Sequence, residues 1–107
     1  MRDPDNPAPV FDALPIPETA LDQGGVEVLR AAIVQGGLHV SLRPAFDEPD
    51  VWGVLLADLA RHAARVFAQE KKFTEEDALD RICGMFHSEM NMPTDLGTTR
   101  ATARGEY

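Results

Sequence analysis

One long amphipathic helix constrains this chain more than any other feature of its sequence. Apolar side chains recur every three or four residues between positions 50 and 69, which is the repeat of one face of an α-helix. The predicted buried stripe consists of Trp52, Leu55, Leu56, Leu59, Ala63, Val66 and Phe67. Asp58, Arg61, Arg65 and Gln69 fall on the opposite side. Such a helix needs a partner for its apolar face.

Local signals mark both ends of this helix. We expect Asp47 to act as the N-cap, because its carboxylate can accept a hydrogen bond from a first-turn amide, and Pro49 suits the first turn. Lys71 and Lys72 place positive charge at the negative end of the helix dipole. The helix is therefore predicted over about residues 48–71.

A second helical pattern follows a short charged break. Thr74 can cap this helix, with Asp77 three residues later, and Pro93 closes it, which predicts a helix over about residues 75–91. Its predicted buried stripe is Leu79, Ile82, Cys83, Phe86 and Met90. On that stripe the thiol of Cys83 is expected to pack as a small apolar group. Because the link is short, we expect the two helices to be antiparallel.

The segment before the long helix has a different repeat. Leu38, Val40 and Leu42 alternate with polar residues, and a period of two predicts a half-buried strand over about residues 38–43. Residues 26–34 fit two templates, a helix by composition or a strand joined to the next by a glycine-containing turn. We favour the hairpin, because a strand needs a hydrogen-bonding neighbour. The helical alternative stays open.

The predicted fold class is α+β, with a β-hairpin (residues 26–34 and 38–43) packed against the two antiparallel helices. Five prolines within residues 1–22 predict an extended N-terminal arm, since proline removes backbone donors and favours extended geometry in its neighbour. Residues 23–92 are predicted to form a single domain. Residues 93–107 contain few large apolar side chains and are predicted to be a flexible tail.

Charge and composition limit the partners of the chain. It contains 18 acidic and 10 basic side chains, giving a net charge of -8, which argues against nucleic acid or an anionic membrane as a ligand. No apolar run approaches membrane-spanning length, and the first residues lack the basic and apolar regions of a signal peptide. The single cysteine excludes an internal disulfide. We expect a cytoplasmic protein.

Few side chains suggest chemistry. His62 follows Asp58 by four residues on the long helix, a spacing that lets a carboxylate orient an imidazole for proton transfer. Asp58 and His62 are therefore the candidate catalytic residues, and His39, Arg43 and Arg65 are the candidate ligand-binding residues. We favour the alternative that His62 flanks the apolar stripe and donates to a carboxylate or carbonyl, and that His39 is a surface residue, because no metal-binding spacing such as His-Glu-x-x-His occurs. Neither a metal nor a cofactor is expected.

Self-association is the firmest functional expectation. A two-stranded hairpin cannot cover two apolar helix faces, and its outer edges lack partners. We therefore expect a homodimer that either continues the sheet across a two-fold axis or buries the apolar face of the long helix. The predicted core or dimer face consists of Trp52, Leu55, Leu59 and Phe67.

Three segments, residues 26–30, 37–43 and 52–62, together resemble a small proteobacterial family of about this length classed only as a domain of unknown function. The resemblance spans residues 14–92. It implies a short bacterial cytoplasmic protein and favours the hairpin, but it implies no activity and no binding residue.

The leading functional hypothesis is a small non-enzymatic, dimeric interaction or regulatory module. The alternative is a small-molecule-binding protein or a small enzyme with its site near Asp58 and His62. In that alternative, His39 and Arg65 would converge with these two residues on a pocket between helix and hairpin.

Overall fold

The structure, a computed structural model, describes residues 9–100. Within that range the elements in chain order are α1 (Glu18–Gln23), β1 (Leu29–Val34), β2 (Gly37–Leu42), α2 (Pro49–Gln69) and α3 (Glu75–Asn91). The predicted α+β class is confirmed. The alternative of a helix over residues 26–34 is wrong, because this segment carries strand β1.

Strands β1 and β2 form an antiparallel hairpin in which Leu29 pairs with Leu42 and Val34 pairs with Gly37. The two turn residues, Gln35 and Gly36, have φ values of 52° and 83°. Two successive residues with positive φ are the mark of a type I′ turn, whose twist matches that of the flanking strands. The turn thus fixes the register of the hairpin.

The hairpin has one apolar and one mixed face, since alternate residues of a strand point to opposite sides. The cross-strand pairs on the apolar face are Leu29 with Leu42, Ala31 with Val40, and Ile33 with Leu38; we call these six residues the hairpin apolar face. The mixed face includes the pairs Arg30 with Ser41 and Ala32 with His39. Ile33 and Leu38 are 71% and 66% exposed, so the outer part of the hairpin apolar face is uncovered.

Helix α2 ends in a backbone motif that was not predicted from the charges of Lys71 and Lys72. Lys71 adopts a left-handed backbone with φ of 60°. Its amide donates to the Ala68 carbonyl at 3.0 Å, and the Lys72 amide donates to the Phe67 carbonyl at 3.3 Å. This is the hydrogen-bond pattern of a Schellman motif, which satisfies the last carbonyls of a helix and stops it.

The N-termini of the two long helices differ. Glu48, and not the predicted Asp47, is the N-cap of α2, and no side chain caps that helix. The predicted cap of α3 is confirmed, because the Thr74 hydroxyl accepts a hydrogen bond from the Asp77 amide at 3.1 Å. Helix α2 therefore starts on its proline, while α3 starts on a side-chain cap.

The two long helices pack through small side chains. Ala64 of α2 is 0% exposed and Ala78 of α3 is 4% exposed. Half-buried residues surround them, namely Ala60, Ala68, Leu79 and Ile82. Because alanine lacks the bulk that holds helices apart, α3 can approach α2 closely at this point.

The predicted buried stripe of α2 is wrong in part. Trp52 and Leu55 are half-buried, but Leu56 and Leu59 are each 44% exposed and Val66 is 52% exposed. At about 100° per residue, the alanines that contact α3 lie about a third of a turn away from these side chains. Leu56, Leu59, Ala63 and Val66, which we call the α2 apolar stripe, are all exposed.

The predicted stripe of α3 is also only partly buried. Leu79 and Ile82 are half-buried, as their position predicts. Cys83 is exposed, and Phe86 and Met90 are 48% and 69% exposed. The prediction that all five pack in a core is wrong, because α2 covers only the side of α3 that carries Ala78.

The predicted packing of the hairpin against the helices is not observed. Among the described elements, no Cα atom of β1 or β2 lies within 8 Å of a Cα atom in α2 or α3. The Cα radius of gyration is 17.2 Å, whereas a compact domain of about 100 residues has a value of about 13 Å. The hairpin and the helical pair are thus separate layers with an open arrangement.

The link between hairpin and α2 is fixed at both ends. The Arg43 side chain donates from Nε to the Glu27 carbonyl at 2.9 Å, which ties the end of the hairpin to its start. The Phe46 ring meets the Trp52 ring edge-on, with 5.5 Å between centroids. Trp52, which is half-buried, is therefore covered in part by the link.

The predicted extended arm is wrong over residues 18–22, which lie in the short helix α1. Before it, the Arg30 guanidinium lies 5.8 Å from the Phe11 ring centroid, so the arm contacts the hairpin. Residues 1–8 and 101–107 lie outside the described residues. Residues 93–100 contain no helix or strand, and the flexibility of the tail stays a prediction. None of the described helices is long and apolar enough to cross a membrane.

The alanine contact can be tested by enlarging one side chain. Ala64→Leu places a bulky group where α2 and α3 touch, and we expect it to lower the free energy of unfolding by about 1–3 kcal/mol. Val54→Leu, at a 62% exposed position on the side of the same helix that carries Asp58 and Arg61, should change it by less than about 0.5 kcal/mol. Urea unfolding at one fixed protein concentration measures both. Equal effects would contradict the assigned contact.

Candidate functional site

The candidate catalytic residues lie on an exposed side of α2. The Asp58 carboxylate faces Arg61 at 3.6 Å, and both side chains are more than half exposed. His62 Nδ1 lies 3.5 Å from Arg65 Nη1. Among the described residues, therefore, Asp58 orients Arg61, and the imidazole of His62 is beside a cation and not beside the predicted carboxylate.

Arg65 joins the two long helices. Its Nε lies 3.8 Å from a carboxylate oxygen of Glu75, with both side chains about half exposed. An ion pair at that distance and exposure contributes little to stability, because water screens the charges. Arg65 of α2 therefore lies beside Glu75, the first residue of α3.

The hairpin residues form a separate polar cluster. Arg30 Nη2 lies 3.0 Å and 3.2 Å from the two carboxylate oxygens of Glu27, while Arg43 donates to the Glu27 carbonyl. A shallow cavity of about 120 Å³ lies beside these three side chains. Small-molecule sites are commonly about 300–1,000 Å³, so this cavity is too small to enclose a typical ligand.

The structure does not bring the predicted site residues together. His39 lies on β2, whose Cα atoms are all more than 8 Å from those of α2. Asp58, His62 and Arg65 share one helix, but neither cavity described here is lined by them. The alternative hypothesis expected a pocket between helix and hairpin, and the described residues contain none at that place.

A second concavity lies beside the link between α2 and α3. This groove of about 380 Å³ is lined by Phe67, Phe73, Ala78, Arg81, Ile82 and Met85. The Phe67 and Phe73 rings meet edge-on at 5.7 Å, and the Arg81 guanidinium lies 4.9 Å from the Phe73 centroid. Its lining offers apolar contact and one cation, and it presents no nucleophile or carboxylate for catalysis.

Sequence reasoning overlooked this groove, although a signal was present. Phe73 directly precedes the N-cap Thr74, and Ala78 is the fourth residue of α3. An apolar residue before the cap commonly packs on the fourth helical residue, an arrangement called the hydrophobic staple. Phe73 in this position explains how the groove is built.

The end of α3 carries a carboxylate whose pKa is shifted. Glu89 accepts hydrogen bonds from the Thr94 amide at 2.9 Å and from the Thr94 hydroxyl at 2.6 Å. The hydroxyl bond first, and then the amide bond, lower the pKa of Glu89 because both favour the charged carboxylate. This contact fastens the segment after Pro93 to the helix. Over the described part of the chain, no group of three or more metal-ligating side chains occurs.

Fold and surface together define a short α+β protein whose surface carries large uncovered apolar faces and whose described concavities are shallow. The chain belongs to the family described as "Domain of unknown function (DUF5076)", which matches residues 13–94. The resemblance inferred from the sequence is thereby confirmed. No curated protein matches the chain.

The chain is also similar to a solved structure described as "a putative pyruvate dehydrogenase from the photosynthetic bacterium Rhodopseudomonas palustrus CGA009". The two sequences are 45% identical, and the match covers 89% of this chain and 97% of that chain. The TM-score is 0.67, which places the two chains in the same fold over nearly their whole lengths.

The Glu89 contact predicts a specific pH response. A lowered pKa means that its stabilising effect is complete above the pKa of an unfolded glutamate and is lost as the pH falls through the folded pKa. We expect the Thr94 amide resonance to move with a midpoint below the ordinary range of glutamate. Glu89→Gln should abolish that titration, and Glu76→Gln should leave it unchanged. Two-dimensional NMR across an acid titration measures all three proteins, and a Thr94 titration that survives in Glu89→Gln would refute the contact.

Proposed function

We propose that this chain is a small homodimeric interaction module without catalytic activity, whose first partner is a second copy of itself. The observation that carries the proposal is the exposed surface. The chain has 9854 Å² of accessible surface, whereas a compact monomer of its 11.7 kDa mass exposes about 5,900 Å². Stable homodimers commonly bury about 2,000–5,000 Å² in total. Half of that area comes from each copy, so an interface of this kind would remove part of the excess surface of one chain.

The composition of the surface supports the same proposal. The α2 apolar stripe is exposed along one side of the helix, and Phe86 and Met90 of α3 are also exposed. Exposed apolar side chains favour association, because burial of each Å² of apolar surface contributes about 25 cal/mol.

We further propose that the dimer is a bacterial, cytoplasmic protein. The solved structure that it resembles comes from a bacterium. An exposed single thiol, Cys83, is compatible with a reducing compartment. The net charge of -8 keeps such a dimer apart from other acidic surfaces. The mixed face of the hairpin, with Arg30, His39 and Ser41, would remain available for a further protein or small-molecule partner.

A second candidate function comes from the name of the similar structure, which suggests that pyruvate is a ligand. In this chain the candidate residues for such a role are those near Asp58 and His62. The described surface offers no enclosed cleft there, so we rank this function below the first.

Pyruvate binding has a direct test. Titration of the full chain with pyruvate up to millimolar concentration should leave the His62 ring resonances in place, because His62 lines neither of the two concavities described above. Saturable shifts of His62, abolished in His62→Gln and retained in His39→Gln, would support the second function and contradict the first ranking.

The homodimer has a test with a matched pair of variants. Val66 on the α2 apolar stripe is 52% exposed, and Val54 on the polar side of the same helix is 62% exposed. We expect sedimentation equilibrium at micromolar concentration to give a dimer mass for the wild type and for Val54→Glu. Val66→Glu should weaken association by at least about tenfold, because a charge would be buried at the interface.

The outcomes separate clearly. A wild-type mass of 11.7 kDa at all concentrations would overturn the proposed function. Equal effects of the two substitutions would show that the α2 apolar stripe is not part of the interface.

A further inference from the structure

In the described part of the chain, two apolar faces are largely exposed, and they are on different layers. One is the hairpin apolar face, and the other is the α2 apolar stripe. Within one chain they do not meet, since no Cα atom of either strand lies within 8 Å of one in α2. Within the described residues, each face is thus available to a covering surface from another molecule.

We propose that two copies of the chain exchange these layers, so that the hairpin apolar face of each copy packs on the α2 apolar stripe of the other. This inference rests on the proposed homodimer and specifies its geometry. A two-fold axis would create the same hairpin-on-helix contact twice. The sheet-on-helix layer is the ordinary way in which an α+β fold buries its apolar faces.

The dimensions of the two faces agree. Each strand has six residues, which corresponds to a length of about 17 Å at about 3.3 Å per residue. The α2 apolar stripe extends from Leu56 to Val66, about 15 Å along the helix at 1.5 Å per residue. One hairpin face can therefore cover one stripe along its length without leaving a large part of either exposed.

The exchange also covers more apolar surface than a dimer in which hairpin packs on hairpin or helix packs on helix. If two hairpin apolar faces packed on each other, both helical stripes would stay exposed. If two helical stripes packed on each other, both hairpins would stay exposed, and an isolated two-stranded hairpin is marginally stable in water. Only the hairpin-on-helix contact covers all four faces of the pair through one kind of interface.

The link explains why the hairpin does not fold back onto its own helix. Arg43 is bonded to the carbonyl of Glu27, and Phe46 is packed against Trp52. The first contact attaches Arg43, the residue directly after β2, to the hairpin. The second attaches Phe46, near the end of the link, to α2. A hairpin held away from its own helix in this manner can be covered by a second copy.

Complementary charges give the sharpest test of the exchange. Leu38→Glu changes the hairpin apolar face, and Leu59→Lys changes the α2 apolar stripe. Each variant alone would bury two unpaired charges in its homodimer, and we expect its dissociation constant to rise at least about 100-fold. In a 1:1 mixture, one contact would pair the carboxylate with the ammonium group and the other would be wild type. The mixture should therefore recover a heterodimer.

A control and a second measurement keep the test independent of folding defects. Val34→Glu changes the opposite face of the same hairpin, where Val34 is 49% exposed, and should stay within about threefold of the wild-type dissociation constant. In the wild type itself, isotope-filtered NMR on a mixed labelled and unlabelled dimer should show contacts between the Leu38 methyls of one copy and α2 of the other.

The results distinguish failure of the exchanged geometry from failure of the homodimer itself. Recovery of the heterodimer together with intermolecular hairpin-to-helix contacts supports the exchange. A wild-type dimer that shows only hairpin-to-hairpin or helix-to-helix contacts, with no recovery in the mixture, overturns the exchange but keeps the proposed function. A monomeric wild type overturns both.

Discussion

The packing of α2 on α3, with Ala64 and Ala78 as the buried side chains, determines which other surfaces of the two helices stay exposed. Helix α2 is apolar over much more than the arc that one neighbouring helix can cover. Because α3 approaches on the alanine side, where small side chains permit close packing, Leu56, Leu59 and Val66 of α2 stay exposed in the described part of the chain. The choice of the alanine side therefore creates the α2 apolar stripe, and with it the need for another surface.

The link between hairpin and α2 has an equally large effect through few contacts. The bond from Arg43 to Glu27 closes the base of the hairpin, and the Phe46 ring uses Trp52 as its packing partner. Trp52 is the largest apolar side chain of the helix, and its ring contact with Phe46 attaches the link to the first turn of α2. A short joint that is packed at both ends keeps the two layers apart, in agreement with the radius of gyration of 17.2 Å.

Much of the secondary structure could be predicted from the sequence, because it depends on local signals. The Thr74 cap, the alternation of Leu38, Val40 and Leu42, and the repeat of α2 each specify an element without reference to the rest of the chain. The covered side of α2 could not be predicted in this way. Periodicity identifies an apolar face, but alanines and leucines on adjoining arcs both count as apolar, and only the packing of α3 distinguishes them. The predicted contact between Asp58 and His62 could not be judged from the sequence for a similar reason. Their spacing permits the contact, but in the structure Arg61 faces Asp58 and Arg65 lies beside His62.

Under the proposed homodimer, the stability of one copy and its association with a second copy would be coupled. The side chains that the described part of one copy buries fully or nearly so are two alanines, so the burial of large side chains contributes little to its stability. A second copy that covers exposed apolar side chains would add about 25 cal/mol for each Å² of apolar surface buried. Folding would then depend on protein concentration, as in obligate dimers, and the amount of folded protein in a cell would rise more steeply than in proportion to the amount synthesised.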